Sequence, residues 1–168
     1  LRDNTMPINV KDYEDLKQED RFYPIEVPQF DYEPLRKYFL IVKSPEAINE
    51  GIITLISFKK DDIVCQWTGF HLKFQTLHSL QHTEDKIFVH DPFFCGKLLH
   101  SCDPNCELDM DNMMIYAVKD IGPFEKLTVD YDKTEKELFQ SFHCNCKSTN
   151  CRQIIGGYAN KTPILNEG

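Results

Sequence analysis

Leu98-Leu99-His100-Ser101-Cys102-Asp103-Pro104-Asn105-Cys106 sets a histidine and two cysteines around an Asp-Pro-Asn turn. Pro104 fixes its own φ and pushes Asp103 toward an extended conformation, so this stretch has to bend at one defined place. Further along comes a second cluster, Cys144-Asn145-Cys146-Lys147-Ser148-Thr149-Asn150-Cys151. Cys144 and Cys146, one residue apart in extended chain, point the same way, and the loop that follows can return Cys151 to the same centre. Three thiolates leave a tetrahedral zinc one ligand short, so a fourth must come from elsewhere in the chain. Between the two clusters lies Leu127-Thr128-Val129-Asp130-Tyr131, a strand-like run that ends in a polar-aromatic pair.

Composition bounds what such a chain can be. Its 168 residues fit one domain of ordinary size, and 41% hydrophobic residues with 12 Phe describe a globular chain rather than a disordered one. No apolar run approaches the roughly 20 residues that span a bilayer, so no membrane role is expected. The chain starts at Leu1 with neither an initiator Met nor a signal-peptide pattern, as a piece of a longer protein would. Seven cysteines are an odd number and three of them crowd together, which favours metal ligation in an intracellular, reducing compartment over a secreted disulfide framework. A formal charge of −8 argues against direct nucleic-acid binding and for a basic partner.

Residues 1–37 are polar and punctuated by Pro7, Pro24, Pro28 and Pro34, and read as a flanking arm. From Tyr38 the texture changes to short β-branched or aromatic runs at 39–42, 52–58 and 63–67, with Lys59-Lys60-Asp61-Asp62 as a turn. His71, His78 and His82 fall in a stretch with no carboxylate at ligand spacing and read as surface or core-edge residues of a variable insert. Residues 86–89 form another strand. Asp91-Pro92 reads as a helix cap with Pro at the first position, which predicts a brief helical turn over 92–97. A strand follows over 113–118 and a turn over 121–124. Thr134 and Glu137 make a capping box, and Leu138 with Phe142 an i, i+4 apolar pair, so a short helix is expected over 135–142. Cys65 and Cys95 read as buried small residues.

Taken together and in this order, these motifs resemble the SET-domain family of protein lysine methyltransferases with a zinc-binding post-SET segment. Leu99-His100-Ser101-Cys102-Asp103-Pro104-Asn105 is similar to the family's Asn-His-Ser-Cys-x-Pro-Asn, with Leu99 in place of the leading Asn. Glu125-Lys126-Leu127-Thr128-Val129-Asp130-Tyr131 resembles Glu-x-Leu-Thr-Phe-Asp-Tyr. Asn49-Glu50-Gly51 stands at the family's Gly-x-Gly and Trp67-Thr68-Gly69 at its Tyr-x-Gly.

The resemblance implies a mainly β (α+β) fold, the SET β-clip, in which the two central segments thread past each other as a pseudoknot. It implies a SET domain over 38–132, a post-SET zinc segment over 133–158 and a tail over 159–168. Tyr131 falls on the catalytic tyrosine, with Trp67 and Val129 beside it in the substrate channel. Asn49, Glu50, Gly51, Leu99 and His100 fall on the contacts to S-adenosylmethionine. The family supplies the fourth zinc ligand from its central motif, here Cys102, to join Cys144, Cys146 and Cys151, with Cys106 as the competing ligand. The implied activity is methyl transfer from S-adenosylmethionine to a lysine of a basic protein, a histone among the candidates, in the nucleus if the source is a eukaryote. The alternative is a non-catalytic SET-like module that binds a basic peptide or protein, a reading drawn from the departures at Asn49, Trp67 and Leu99. A zinc-stapled interaction domain unrelated to methyl transfer would explain the cysteines but not the Leu-Thr-Val-Asp-Tyr run.

Overall fold

The computed structural model describes residues 7–43, 50–83 and 85–160. It is built almost entirely of short strands. β1 (Phe39–Lys43) and β2 (Glu50–Thr54) pair antiparallel. β3 (Ile63–Gln66), β4 (Phe70–Leu72), β5 (Ser79–Thr83) and β6 (Ile87–His90) follow, and then a two-residue β7 (Leu99–His100). The rest is β8 (Cys106–Asp109), β9 (Met114–Ala117), β10 (Thr128–Val129), one helical turn α1 (Tyr131–Thr134), β11 (Phe142–His143) and β12 (Ile154–Ile155). Two three-stranded sheets, in the orders β3-β9-β8 and β4-β6-β5, carry most of the pairing. Mainly β structure with few and short helices is the architecture the sequence leads one to expect.

The pieces are short because turn chemistry interrupts every apolar run. At Lys59–Asp62 the Asp62 carboxylate accepts the Lys59 N–H at 2.7 Å, and Asp61 takes a left-handed φ of 72°. Trp67, Phe39, Phe58 and Phe94 anchor the core that the small sheets share, with Phe39 stacked on Phe58 at 6.2 Å and edge-on to Phe94 at 5.3 Å. Cys65 and Cys95 are buried in the same core. Residues 7–37 contribute to it as well. Ile8, Phe22, Tyr23 and Leu35 are buried there, and a buried Arg21–Glu33 ion pair at 2.9 Å braces the segment from within.

Residues 70–82 supply β4 and β5, which flank β6 antiparallel on both sides, and the His71 and His82 rings, at the surface and sheet edge as expected, lie 5.7 Å apart across this sheet. One local expectation needs correction. The helix expected over 135–142 is absent, and the only α-helical turn among the described residues ends at Thr134. Tertiary bonds override the capping signal. The Gln81 N–H donates to Glu135 Oε1, the Lys136 N–H donates to Gln81 Oε1, and the Leu138 N–H donates to the Gly156 carbonyl, so the chain leaves the helical course at Glu135 and runs on through bends. Phe142, expected on a helix face, sits in β11. The turn expected over 92–97 does form, as a 3-10 turn at Cys95–Lys97.

Candidate functional site

β7 and β10, each only two residues long, pair in parallel, with Thr128 opposite Leu99 and Val129 opposite His100. Parallel pairing needs a crossover connection, here the chain through β8 and β9, and it sets the two central segments side by side as the pseudoknot expectation requires. Asn105 ties the crossing. Its side chain donates to the Lys126 carbonyl and accepts the Thr128 N–H, both at 2.8 Å, while its own N–H donates to Thr128 Oγ1 at 3.2 Å. The Ser101 N–H adds a bond to the Val129 carbonyl at 3.0 Å.

The crossing delivers Tyr131 to His100. The His100 imidazole is buried and accepts the Tyr131 N–H on Nδ1 at 3.1 Å, while Nε2 lies 3.4 Å from Cys102 Sγ. Accepting at Nδ1 leaves the proton on Nε2, and burial lowers the pKa of the ring, so it stays neutral. The His100, Tyr131 and Phe142 rings form a close trio with centroids 5.2 to 6.0 Å apart. The Tyr131 hydroxyl donates to the Leu98 carbonyl, and burial pushes its pKa upward, so it is a donor throughout the physiological range.

On the other side of His100, Cys102, Cys144, Cys146 and Cys151 converge, with all four sulfurs within 4.8 Å of one another. Cys102 and Cys144 are 3.8 Å apart, the separation that bonds of about 2.3 Å to a tetrahedral zinc produce. Cys106 does not join them. It lies in the core, where burial pushes its thiol up to about 12. Arg152 clamps the segment from below. Its guanidinium pairs with both Asp130 and Asp132, the carboxylates on either side of Tyr131, and its N–H reaches Cys102 Sγ at 3.4 Å. The sequence reading missed Arg152 and Phe142. Nothing in their local pattern announces partners as distant in the chain as His100 for Phe142 or Asp130 for Arg152.

Gly51 and Leu99 meet directly. A Cβ added at Gly51 would stand 2.7 Å from Leu99 Cδ1, so the Leu99 side chain lies directly over the glycine and would have to shift for any larger residue. Glu50 pairs with Lys97, whose ammonium holds the carboxylate below its ordinary pKa; Lys97 was not foreseen either. The second edge of β7 pairs with no strand among the described residues. The main-chain groups of Leu99 and His100 therefore border an unpaired strand edge, beside Glu50 and Gly51, which fits a cofactor recognised through backbone rather than side chains. Asn49 lies outside the described residues. Trp67 and Val129 are both buried in the core cluster against which Tyr131 packs, and Trp67 Nε1 makes no hydrogen bond among the described residues. Two adjoining clefts of about 840 and 510 Å³ run along β8, and Asp61, Asp103, Glu107, Asp109 and Asp111 line them.

The model of one protein family, described as "SET domain", matches residues 49–132. Among curated relatives, the histone-lysine N-methyltransferase ash1 of Drosophila melanogaster is 32% identical over 77 residues, 42% of this chain and 4% of that protein. The methyltransferase flvH of Aspergillus flavus is 37% identical over 69 residues, 40% of this chain and 37% of that protein. The H3 lysine-4 specific histone-lysine N-methyltransferase of Saccharomyces cerevisiae is 37% identical over 63 residues, 33% of this chain and 6% of that protein. The match thus covers little more than a third of the length of flvH and only a few per cent of the other two. Of solved structures, KRYPTONITE in complex with mCHG DNA and SAH superposes with a TM-score of 0.56 at 17% identity, over 73% of this chain and 29% of that one. The methyltransferase domain of human histone-lysine N-methyltransferase SETMAR gives 0.54 at 19% identity, over 73% and 57% of the two chains.

Proposed function

Because the chain belongs to the SET-domain family, we propose that it is a protein-lysine N-methyltransferase that uses S-adenosylmethionine on a basic protein substrate, a histone among the candidates. The observation that carries this reading is the placement of His100. One buried imidazole touches the Tyr131 main chain on one side and a thiol of the four-cysteine cluster on the other. A module that merely stapled its C-terminal segment would have no use for an imidazole that ties the cysteine cluster to the main chain of Tyr131.

S-adenosylmethionine would supply an electrophilic methyl group on a sulfonium. The proposed contacts are the main chain of Leu99 and His100 with Asn49, Glu50 and Gly51. A lysine, with an ordinary pKa near ~10.4, arrives as an ammonium and must be neutral to attack. The apolar surroundings of Trp67, Val129 and Tyr131 disfavour the charged form and lower that pKa. The Tyr131 hydroxyl, fixed by the Leu98 carbonyl, orients the amine, so alignment and a preorganised polar site do the work without a strong base. Cys102, Cys144, Cys146 and Cys151 are the proposed zinc ligands, acting as a structural staple that keeps residues 133–158 against a SET domain drawn over 38–132. The acidic lining of the two clefts supports a Lys/Arg-rich substrate.

The test is methyl transfer from labelled S-adenosylmethionine to a panel of lysine peptides from basic proteins, with calorimetric binding of the cofactor alongside. The expected result is cofactor binding and label on a lysine. A protein that takes up the peptides but neither binds the cofactor nor transfers label would be the non-catalytic module instead.

A further inference from the structure

Tyr23 lies well before residues 49–132, yet its hydroxyl makes two bonds to elements of the site. It accepts the Thr68 N–H at 3.2 Å and donates to Asp91 Oδ2 at 2.9 Å. Thr68 follows Trp67 directly. Asp91 is the cap of the turn that leads into the central motif. Tyr23 is 1% exposed and Asp91 0%, so neither bond can be exchanged for water.

Asp91 passes the constraint on. Its carboxylate takes the N–H groups of Phe93, Phe94 and Cys95 at 3.0, 3.1 and 2.7 Å, which fixes the 3-10 turn. That turn closes with the Leu98 N–H on the Cys95 carbonyl at 3.1 Å, and the Leu98 carbonyl is the acceptor of the Tyr131 hydroxyl. The junction has no slack. A Cβ at Gly69 would fall 2.6 Å from the His90 carbonyl oxygen, and one at Gly96 2.3 Å from that of Asp91.

We propose that Tyr23 is a positioning residue for the methyl transfer assigned above, because its hydroxyl joins the wall that carries Trp67 to the turn that aims the Leu98 carbonyl at Tyr131. The ring alone would serve the core equally well as phenylalanine. The hydroxyl is what spans the two walls, by accepting from one and donating to the other, and it thereby sets the width of the lysine channel. The proposal rests on the functional reading for its kinetic consequence and on geometry alone for its structural one.

The experiment uses the full zinc-loaded chain and Tyr23→Phe, with far-UV circular dichroism and metal content as controls for folding. Three readings are taken. The first is the exchange rate of the Thr68 amide by NMR. The second is the near-ultraviolet dichroism of Trp67, the chain's one tryptophan. The third is turnover on whichever lysine peptide the wild type methylates. Loss of the bridging hydroxyl should speed Thr68 exchange at least ~10-fold relative to the neighbouring strand amides and change the Trp67 signal. It should also lower kcat by ~10-fold or more while leaving the KM for S-adenosylmethionine within ~2-fold, the split that misalignment without loss of cofactor binding produces. Wild-type exchange and dichroism in the variant would overturn the bridge, and a wild-type kcat would overturn its role in catalysis. Should the wild type transfer no methyl group, the functional reading fails, while exchange and dichroism still decide whether Tyr23 holds the two walls. If Tyr23→Phe does not fold, Asp91→Asn, which removes a carboxylate acceptor and keeps the phenol, should shift the same three readings in the same direction. Wild-type values in that variant would refute the proposal.

Discussion

A hydroxyl held by one main-chain carbonyl can be removed without moving the ring that bears it. Tyr131→Phe should therefore keep the His100–Tyr131–Phe142 contacts and cofactor affinity while turnover falls at least ~100-fold, the scale of losing a positioned catalytic group. Calorimetry and a methyl-transfer assay on the same preparation separate the two effects, and unchanged turnover would remove Tyr131 from the mechanism. Val129 decides a subtler matter. Valine carries no hydroxyl to hold a water and is smaller than the aromatic residue the family places two before its tyrosine, so the proposed channel has room for a methylated amine to turn. Di- and trimethylated products are expected, with Val129→Tyr shifting the limit toward one methyl group. Because Val129 is buried, the larger ring also costs about 1–3 kcal/mol of packing, and mass spectrometry of the products should be paired with a melting curve. A wild-type product that stops at one methyl would mean that Trp67 already closes the space.

The connection between Tyr131 and the cysteine loop shows where local sequence signals lose to long-range bonds. A capping box at Thr134 and Glu137 and an apolar i, i+4 pair argue for a helix over 135–142, but the chain there is held elsewhere: Glu135 and the Lys136 N–H by Gln81 of β5, and Phe142 by the rings of His100 and Tyr131. The same holds for Tyr23, Lys97 and Arg152, whose partners Asp91, Glu50 and Asp130 lie 68, 47 and 22 residues away in the chain. What could be read in advance was what spacing encodes, the convergence of Cys144, Cys146 and Cys151, the Pro-fixed bend between Cys102 and Asn105, and the alternation of short strands with turns, while Cys102 as the fourth thiol came from the family resemblance. The buried Gln81–Glu135 contact has a measurable consequence. Burial pushes the Glu135 carboxyl up to about 7, and its Oε2 has no hydrogen-bond partner among the described residues. The folded chain therefore favours the protonated acid, and this contribution is complete below the ordinary carboxylate range and disappears as pH rises through about 7. Stability should fall by roughly 1 kcal/mol between pH 6 and 8 on this account, and Glu135→Gln should flatten that part of the curve. Denaturant titrations of both proteins across the interval would check it, and parallel curves would exclude Glu135 as the source.

For the molecule as a whole, the four thiols decide whether the C-terminal segment belongs to the site. Metal analysis should find one zinc per chain in Cys106→Ser and less than one in Cys102→Ser; the reverse would reassign the ligand. Stripping the metal should loosen residues 144–155 and weaken S-adenosylmethionine binding with them, because a structural zinc contributes on the order of 10 kcal/mol to folding. The positions of the ligands also have a topological consequence. Cys102 and Cys144 stand 42 residues apart, so a metal joining them turns the intervening chain into a closed ring, and β10 lies within that ring while its partner β7 lies just outside. A ring closed on an unfolded chain has to find its crossing afterwards, with far fewer ways to pass one strand behind another. Order of assembly then matters. Denatured protein diluted into buffer that already contains zinc should recover less native material than protein allowed to fold first and metallated second, and equal yields would mean that the crossing forms before any thiol is committed.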